Sequence, residues 1–350
     1  MRKFDYSSLK EKKWDSEIIS LVAQIHEYKG RQEIYLKQKP EELDKLIEIA
    51  KRQSTEASNA IEGIRTTSTR LRQLCEEKTT PKNRDEEEIL GYRDVLNTIH
   101  ENYEYIPIRA NYILQLHRDL YKYTEKNIGG HFKVSQNVIA ATDEKGKEYV
   151  LFTPLAPYET PSAIDDICEN YNKMIDSEEL DSILLIPIFI HDFLCIHPFS
   201  DGNGRMSRLL TALLLYRSGY VVGKYISIEN KIAKNKDLYY KALENCQDGW
   251  HENKEDVTSF VKYMLRIILA SYRDFEKRVE LVSEKIPAKE IVRRAIYNKI
   301  GKITKSDVVE LCPSIGKKSV ELALKQLVEE GVLIKKGNGR ATFYVRSDFE

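Results

Sequence analysis

Residues His197 to Arg208, HPFSDGNGRMSR, gather a histidine, an aspartate, two glycines and two arginines into a dozen positions. Glycine lets backbone N–H groups approach a ligand without a Cβ in the way. A helix starting at Arg205 adds unpaired N–H groups and a positive dipole end. Arg205 and Arg208, one helical turn apart, can face one anion. Together they make a cradle for a polyphosphate. Asp201 beside it can hold a Mg²⁺ that bridges phosphate oxygens, and His197 can take a proton from an attacking hydroxyl. These are the parts for displacement at phosphorus. The pattern is neither a Walker A loop nor GxGxxG. Phe199 reads as the apolar anchor of the loop.

Helices must position this loop. IPIFIHDFLCI is almost continuously apolar and reads as a buried helix, with Pro187 at its start, delivering His197 at its end. His191, inside that run, reads as a core histidine. Pro198 forces the chain out of helix. RMSRLLTALLLYRSG is the following helix, stopped at Gly219. Upstream, EELDKLIEIAKRQSTEASNAIEG has helical periodicity and a stop at Gly63. TTPKNRDEEE, Thr79 to Glu88, reads as a polar connection, and helical patterns follow in ILGYRDVLNTIHENY and IRANYILQLHRDLYKY. GGHFKVSQNVIAATDEKGKEYVLFTP changes character. Its short β-branched and aromatic runs around DEKG predict a β-hairpin.

HPFSDGNGRMSR resembles the Fic motif, HxFx(D/E)GNGRxxR, at every specified position, and the apolar run before it is similar to the family's. The resemblance implies AMP transfer from ATP to a hydroxyl of a target protein with Mg²⁺, self-modification included. His197 is then the base and Asp201 the Mg²⁺ ligand. Gly202, Asn203 and Gly204 hold the α- and β-phosphates, and Arg205 and Arg208 the outer ones. The hairpin falls where the family has its flap, which registers a target's backbone by strand addition. Val138 and Ile139 would then lie near the nucleotide. Lys133 stands where the family often has arginine. Tyr239, Tyr240 and Gln247 fall where related enzymes bind adenosine.

SNAIEG, Ser58 to Gly63, resembles the (S/T)xxxE(G/N) motif of the Fic inhibitory helix. The resemblance implies that Glu62 pairs with Arg208 in a bidentate contact, which competes with the γ-phosphate for the guanidinium. A hydrolase that removes AMP through a water placed by Glu62 is the alternative in the same site.

The five cysteines are scattered without CxxC, which argues against a disulfide scaffold or zinc site and for a reducing cytoplasm. MRKFDYSSLKEKKW leads into no apolar stretch, and no apolar run reaches the length of a membrane span. Formal net charge is +0, yet residues 285–350 hold 14 Lys/Arg against 8 Asp/Glu, a net of +6. Three short helical patterns and a two-stranded tail in this region predict a winged helix-turn-helix. The second GNGR, residues 337–340, sits between β-patterned runs. It reads as a wing-tip turn in which Asn-Gly takes positive φ, with Lys335, Lys336 and Arg340 facing solvent or phosphate. Lys317 and Lys318 open the third helix. The module is read either as a DNA reader, working through a homodimer, or as a docking or dimerisation unit. A DNA-binding regulator with a nucleotide-sensing Fic domain is the third functional reading.

The expected fold is therefore mainly α. A helical region over 1–85 carries the inhibitory helix, a Fic-type core with a β-hairpin flap spans 86–280, and a winged helix-turn-helix spans 285–350.

Overall fold

The structure, a computed structural model of the 350-residue chain, describes residues 2–38, 40–125, 127–142, 146, 148–283, 287–297, 301–312 and 315–347. It is mainly helical, as the sequence patterns predict. In chain order the helices are α1 (Ser16–Gln38), α2 (Pro40–Ile61), α3 (Ser68–Cys75), α4 (Arg84–Asn102) and α5 (Ala110–Leu120). After the hairpin β1 (Ile139–Thr142) and β2 (Glu148–Phe152) come α6 (Thr160–Ser177), α7 (Ser182–Ile196), α8 (Asn203–Arg217), α9 (Ile228–Lys234), α10 (Lys236–Glu244) and α11 (Thr258–Ser283). The chain closes with α12 (Ala288–Tyr297), α13 (Lys305–Leu311), α14 (Lys317–Glu329), β3 (Leu333–Lys336) and β4 (Phe343–Arg346). Two compact units form: Met1–Glu27 with Ala50–Ser271, and Tyr28–Ile49 with Tyr272–Glu350.

In the first unit α7 is the central element, with every residue from Ile183 to Ile196 buried. A helix apolar on all sides needs neighbours on all sides, and α6 and α8 supply two of them. Pro187 does not start α7. The Asp181 side chain accepts the Ile183 N–H and caps the helix six residues earlier, leaving Pro187 in the interior. A proline there removes one intrahelical bond, and burial of the surrounding side chains outweighs that loss. Gly91 of α4 packs against the backbone of Leu120, where a Cβ would collide with the carbonyl oxygen. That close approach fixes the end of α5 and the tyrosine that follows it.

Helix α2 ends as its glycine predicts. Gly63 has φ +82°, its N–H donates to Ala60, and the Ile64 N–H reaches back to Asn59. This pair of bonds is a Schellman motif, which puts Glu62 at the C-cap position. The strands of the first hairpin are antiparallel, with Ala140 opposite Val150; of the DEKG turn, residues 143–145 lie outside the described residues, and Gly146 has φ +79°.

In the second unit, Thr304 and Asp307 form a capping box that starts α13. Val292, Ile296, Val308, Val320, Leu324 and Leu327 of the three helices share a core with Leu333 of β3. Strands β3 and β4 pair antiparallel, and Ile303 bridges to Tyr344 on the outer side of β4. Lys336 opposes Phe343, so the connecting loop has six residues, 337–342, rather than a two-residue turn. Gly337 (φ +77°) and Gly339 (φ +55°) take the left-handed conformations, while Asn338 is extended. The anticipated domain boundary at Lys285 and the side chain of Arg340 lie outside the described set.

Candidate active site

The end of α7 fixes the histidine. His197 is the C-cap residue and adopts φ +51°, ψ +63°, uncommon for a residue with a Cβ. Its N–H caps Phe193, and its ring Nδ1 lies 3.2 Å from the Leu194 carbonyl. That carbonyl can only accept, so Nδ1 carries the proton and Nε2 is left as an acceptor without a partner among the described residues. Burial pushes the imidazole pKa down to about 4, so His197 is neutral at neutral pH and able to receive a proton.

The loop then turns over a stacked pair. The Phe199 ring lies 3.7 Å from that of His117 on α5, nearly parallel, which makes Phe199 the expected apolar anchor. His117 Nδ1 accepts the Gly130 N–H, so its Nε2–H donates to the Asp201 carbonyl at 3.0 Å. The Asn203 side chain is used inside the loop, accepting the Phe199 N–H and donating to the Phe199 carbonyl. Its backbone N–H is left to face a ligand. Gly202, at φ +84°, caps α8. The first intrahelical bond runs from Met206 to Gly202, so the N–H groups of Asn203, Gly204 and Arg205 point out of the helix end.

The two arginines part company. Arg205 is buried, with Nη2 2.7 Å from both Glu88 Oε2 and the Tyr121 hydroxyl. Its Nε and Nη1 are buried without a partner among the described residues. Arg208 donates from Nε to Ser58 Oγ at 2.8 Å, and from Nη2 to the Ser58 carbonyl at 3.0 Å and Glu62 Oε1 at 2.7 Å. The expected Glu62–Arg208 pair is present, but as a single charge-assisted bond. Ser58 takes Nε and shares Nη2. Asp201 is partly exposed; its Oδ1 accepts the Gly202 N–H, and Arg84 and Arg205 each approach a carboxylate oxygen to 4.0 Å.

These groups line one cavity of about 670 Å³. His197, Asp201, Gly202, Asn203, Gly204, Arg205, Arg208 and Glu62 all border it, as do Ile139, Tyr239, Tyr240 and Gln247. Tyr239 is buried, packed edge-on against Phe260. Val138 is exposed and does not line the cavity, unlike its neighbour Ile139. Ser58 sits behind Arg208, fully buried. His191 is a core residue beside Cys195, as expected.

Four site residues escaped the sequence reading: Arg84, Glu88, His117 and Tyr121. Glu88 closes the stretch read as a connection, but Asn83 accepts the Glu86 N–H and starts α4 at Arg84. The available signal was the i, i+4 spacing of Arg84 and Glu88, which pair at 2.8 Å.

The profile of the Fic/DOC family matches residues 107–215, and the chain carries a Fic/DOC domain there. A Fido domain-containing protein of Dictyostelium discoideum is 27% identical over 147 residues, 41% of this chain and 98% of that protein. A probable protein adenylyltransferase of Aquifex aeolicus is 26% identical over 54% of this chain and 53% of its own length. The protein adenylyltransferase Fic of Drosophila erecta is 26% identical over 59% of this chain, but only 38% of its own length is matched. Among solved structures, a Fic family protein from Desulfovibrio desulfuricans superposes with a TM-score of 0.62 at 19% identity, covering 96% of this chain and 97% of that one.

Proposed function

We propose that this protein is a protein adenylyltransferase, transferring AMP from ATP to a hydroxyl side chain of a target protein and held in check by Glu62. The observation that carries the reading is the meeting, on one cavity, of a neutral His197 with free Nε2 and an Arg208 engaged by Glu62. His197 Nε2 takes the proton of the target hydroxyl. The hydroxyl oxygen bonds to the α-phosphorus, and the bond to the β-phosphate oxygen breaks, releasing pyrophosphate. The N–H groups at the start of α8 and the unpartnered Nε and Nη1 of Arg205 fit phosphate oxygens. Arg208 serves the γ-phosphate once Glu62 lets go.

Mg²⁺ fits Asp201, whose partly exposed carboxylate borders the cavity beside the cradle, where a cation could be shared with phosphate oxygens. Bound there, Mg²⁺ would neutralise phosphate charge. The flap edge next to Ile139 receives the target backbone, which leaves target identity to contacts beyond the hairpin.

The hydrolase reading keeps one supporting observation. Glu62 Oε2 has no partner among the described residues while Oε1 holds Arg208, so this carboxylate has an oxygen able to orient a water. Mass spectrometry of lysate proteins after incubation with ATP and the Glu62→Gly variant tests the main reading. A gain of one AMP on a protein hydroxyl is expected. No adduct with the variant, together with AMP loss from a modified protein by the wild type, would give the hydrolase precedence.

We read the three helices and hairpin of the second unit as a winged helix-turn-helix that binds duplex DNA through a homodimer. Lys317, Lys318, Lys335 and Lys336 are all exposed and support this reading. Among the described residues no helix is long and apolar enough to cross a membrane. All five cysteines are free thiols, four of them buried, which supports a cytoplasmic setting.

A further inference from the structure

We propose that Lys133 and Asn137 form a clamp on the main chain around His197 that sets where its imidazole stands, making both of them positioning residues for the transfer reaction; this rests on the role given to His197 above. Four consecutive carbonyls, Ile196 to Phe199, accept hydrogen bonds from this pair. Lys133 Nζ donates to Ile196 at 3.0 Å, and the Lys133 backbone N–H to Pro198 at 2.9 Å. Asn137 Nδ2 reaches Phe199 at 3.1 Å and His197 at 3.5 Å. Lys133 Nζ also donates to Asn137 Oδ1 at 3.0 Å, which ties the two side chains together.

The loop needs such a clamp for a local reason. His197 holds a left-handed backbone conformation that a side chain disfavours, and such conformations persist only when the surroundings over-determine them. Pro198 has no N–H to contribute. The α7 end holds the His197 N–H and its ring Nδ1, while the carbonyls of residues 196–198 are held by residues 133–137.

Lys133 is also an unusual residue to bury. Its side chain is buried against carbonyls with no carboxylate in ion-pair range among the described residues, and burial pushes its pKa down to about 8. A buried ammonium without a counter-charge is costly. The geometry gives it a task that an apolar residue of the same size could not do.

The phosphate cradle is held by other groups: Asn203 on Phe199, His117 on the Asp201 carbonyl, and Glu88 with Tyr121 on Arg205. Loosening the clamp should therefore displace the base and spare nucleotide binding. The test uses the full chain. In a Glu62→Gly background, Asn137→Ala and Lys133→Met are expected to lower the rate of AMP transfer about 10²-fold, the scale set by an ångström of misplacement. ATP affinity, titrated separately, stays within about twofold, and Lys133→Arg restores most of the rate.

A second readout does not depend on activity. The His197 ring is followed by NMR through a pH titration, with and without Asn137→Ala, in the chain with Glu62 intact. Lys133 and Glu62, the charged groups that face the ring, are then the same in both proteins. The His197 titration should move up from its depressed value toward the ordinary histidine range of about 6.5, because a released loop lets water reach the ring. Should Asn137→Ala not fold, Asn137→Ser is read in the same way. An unchanged titration overturns the clamp, as does a rate loss matched by an equal loss of ATP affinity. Absence of transfer by the Glu62→Gly parent would instead sink the adenylyltransferase reading, with the titration still deciding the clamp.

Discussion

The carboxylate of Glu62 stands directly over the Cα of Gly204. A Cβ built on Gly204 would fall inside the van der Waals shell of Glu62 Oε1, with Arg208 Nη1 3.4 Å away. The proposed inhibitor and the proposed phosphate cradle thus occupy the same few cubic ångströms. Gly204→Ala should expel the carboxylate, because the far end of a flexible side chain yields easily. The new methyl then takes the place of a phosphate oxygen. The expected result is lower ATP affinity and no activation, read by nucleotide titration. An activated Gly204→Ala protein would show that no phosphate approaches this position.

Glu62→Gly frees Arg208 without filling the cradle, and AMP transfer, self-modification included, should rise well above that of the wild type. Arg208→Ala also frees Glu62 but should not activate, since the γ-phosphate then lacks its partner. Labelled ATP with gel readout compares the three proteins. Equal labelling by wild type and Glu62→Gly would remove Glu62 as the restraint.

His197→Ala should abolish transfer while ATP still binds. In the proposed mechanism the imidazole serves the incoming hydroxyl, whereas the α8 terminus and the arginines serve the nucleotide. Loss of a general base typically lowers rate by about 10²–10⁴. Full labelling by His197→Ala would end the mechanism given above.

Acid should destabilise the fold in a defined window. Burial depresses His100 to about 3 and His117, His191 and His197 to about 4. In the unfolded chain these rings titrate near 6.5. Between the folded and unfolded values the unfolded state binds more protons, so stability rises with pH across that window and falls as pH drops below about 6.5. Thermal melts from pH 7.5 to 5 should show a falling Tm before carboxylates begin to protonate. A Tm that is flat to pH 5 would mean that these rings are not buried as neutral groups.

If the second unit reads DNA, its affinity should fall with salt. Each phosphate contacted by Lys317, Lys318, Lys335 or Lys336 contributes a log–log slope of about −0.9. Fluorescence anisotropy with duplex DNA at two salt concentrations, on the full chain and on a charge-reversed Lys317→Glu/Lys318→Glu variant, checks this. Binding that ignores both salt and the variant rules out α14 as the reader.

How much of this was legible in the sequence depended on whether a residue acts locally. The His197–Arg208 loop and the Gly63 stop are encoded in contiguous letters with one backbone solution each, and the helix patterns followed the same logic. Pro187 misled because a capping aspartate six positions earlier outcompeted it. Glu88 was hidden in the acidic run Asp85–Glu88, in which Glu86 is buried as well and pairs with Arg70 instead. Its meaning depends on Arg205, more than a hundred positions away, and no spacing rule connects them. Asn137 was invisible for the same reason. An amide before a strand looks like loop polarity until the four carbonyls it helps to bind are seen together.

Because Glu62 and Arg208 belong to one chain, dilution cannot separate them; a ligand must compete with the carboxylate for the guanidinium. Under the proposed function, the pair would act as a threshold device. For a competent state open a fraction f of the time, apparent affinity for productive ATP weakens by 1/f, so a pair open about 1% of the time raises the half-saturating concentration roughly a hundredfold. The enzyme's output would then track the abundance of nucleotide in its surroundings, and the strength of one 2.7 Å contact would set the dose at which it responds.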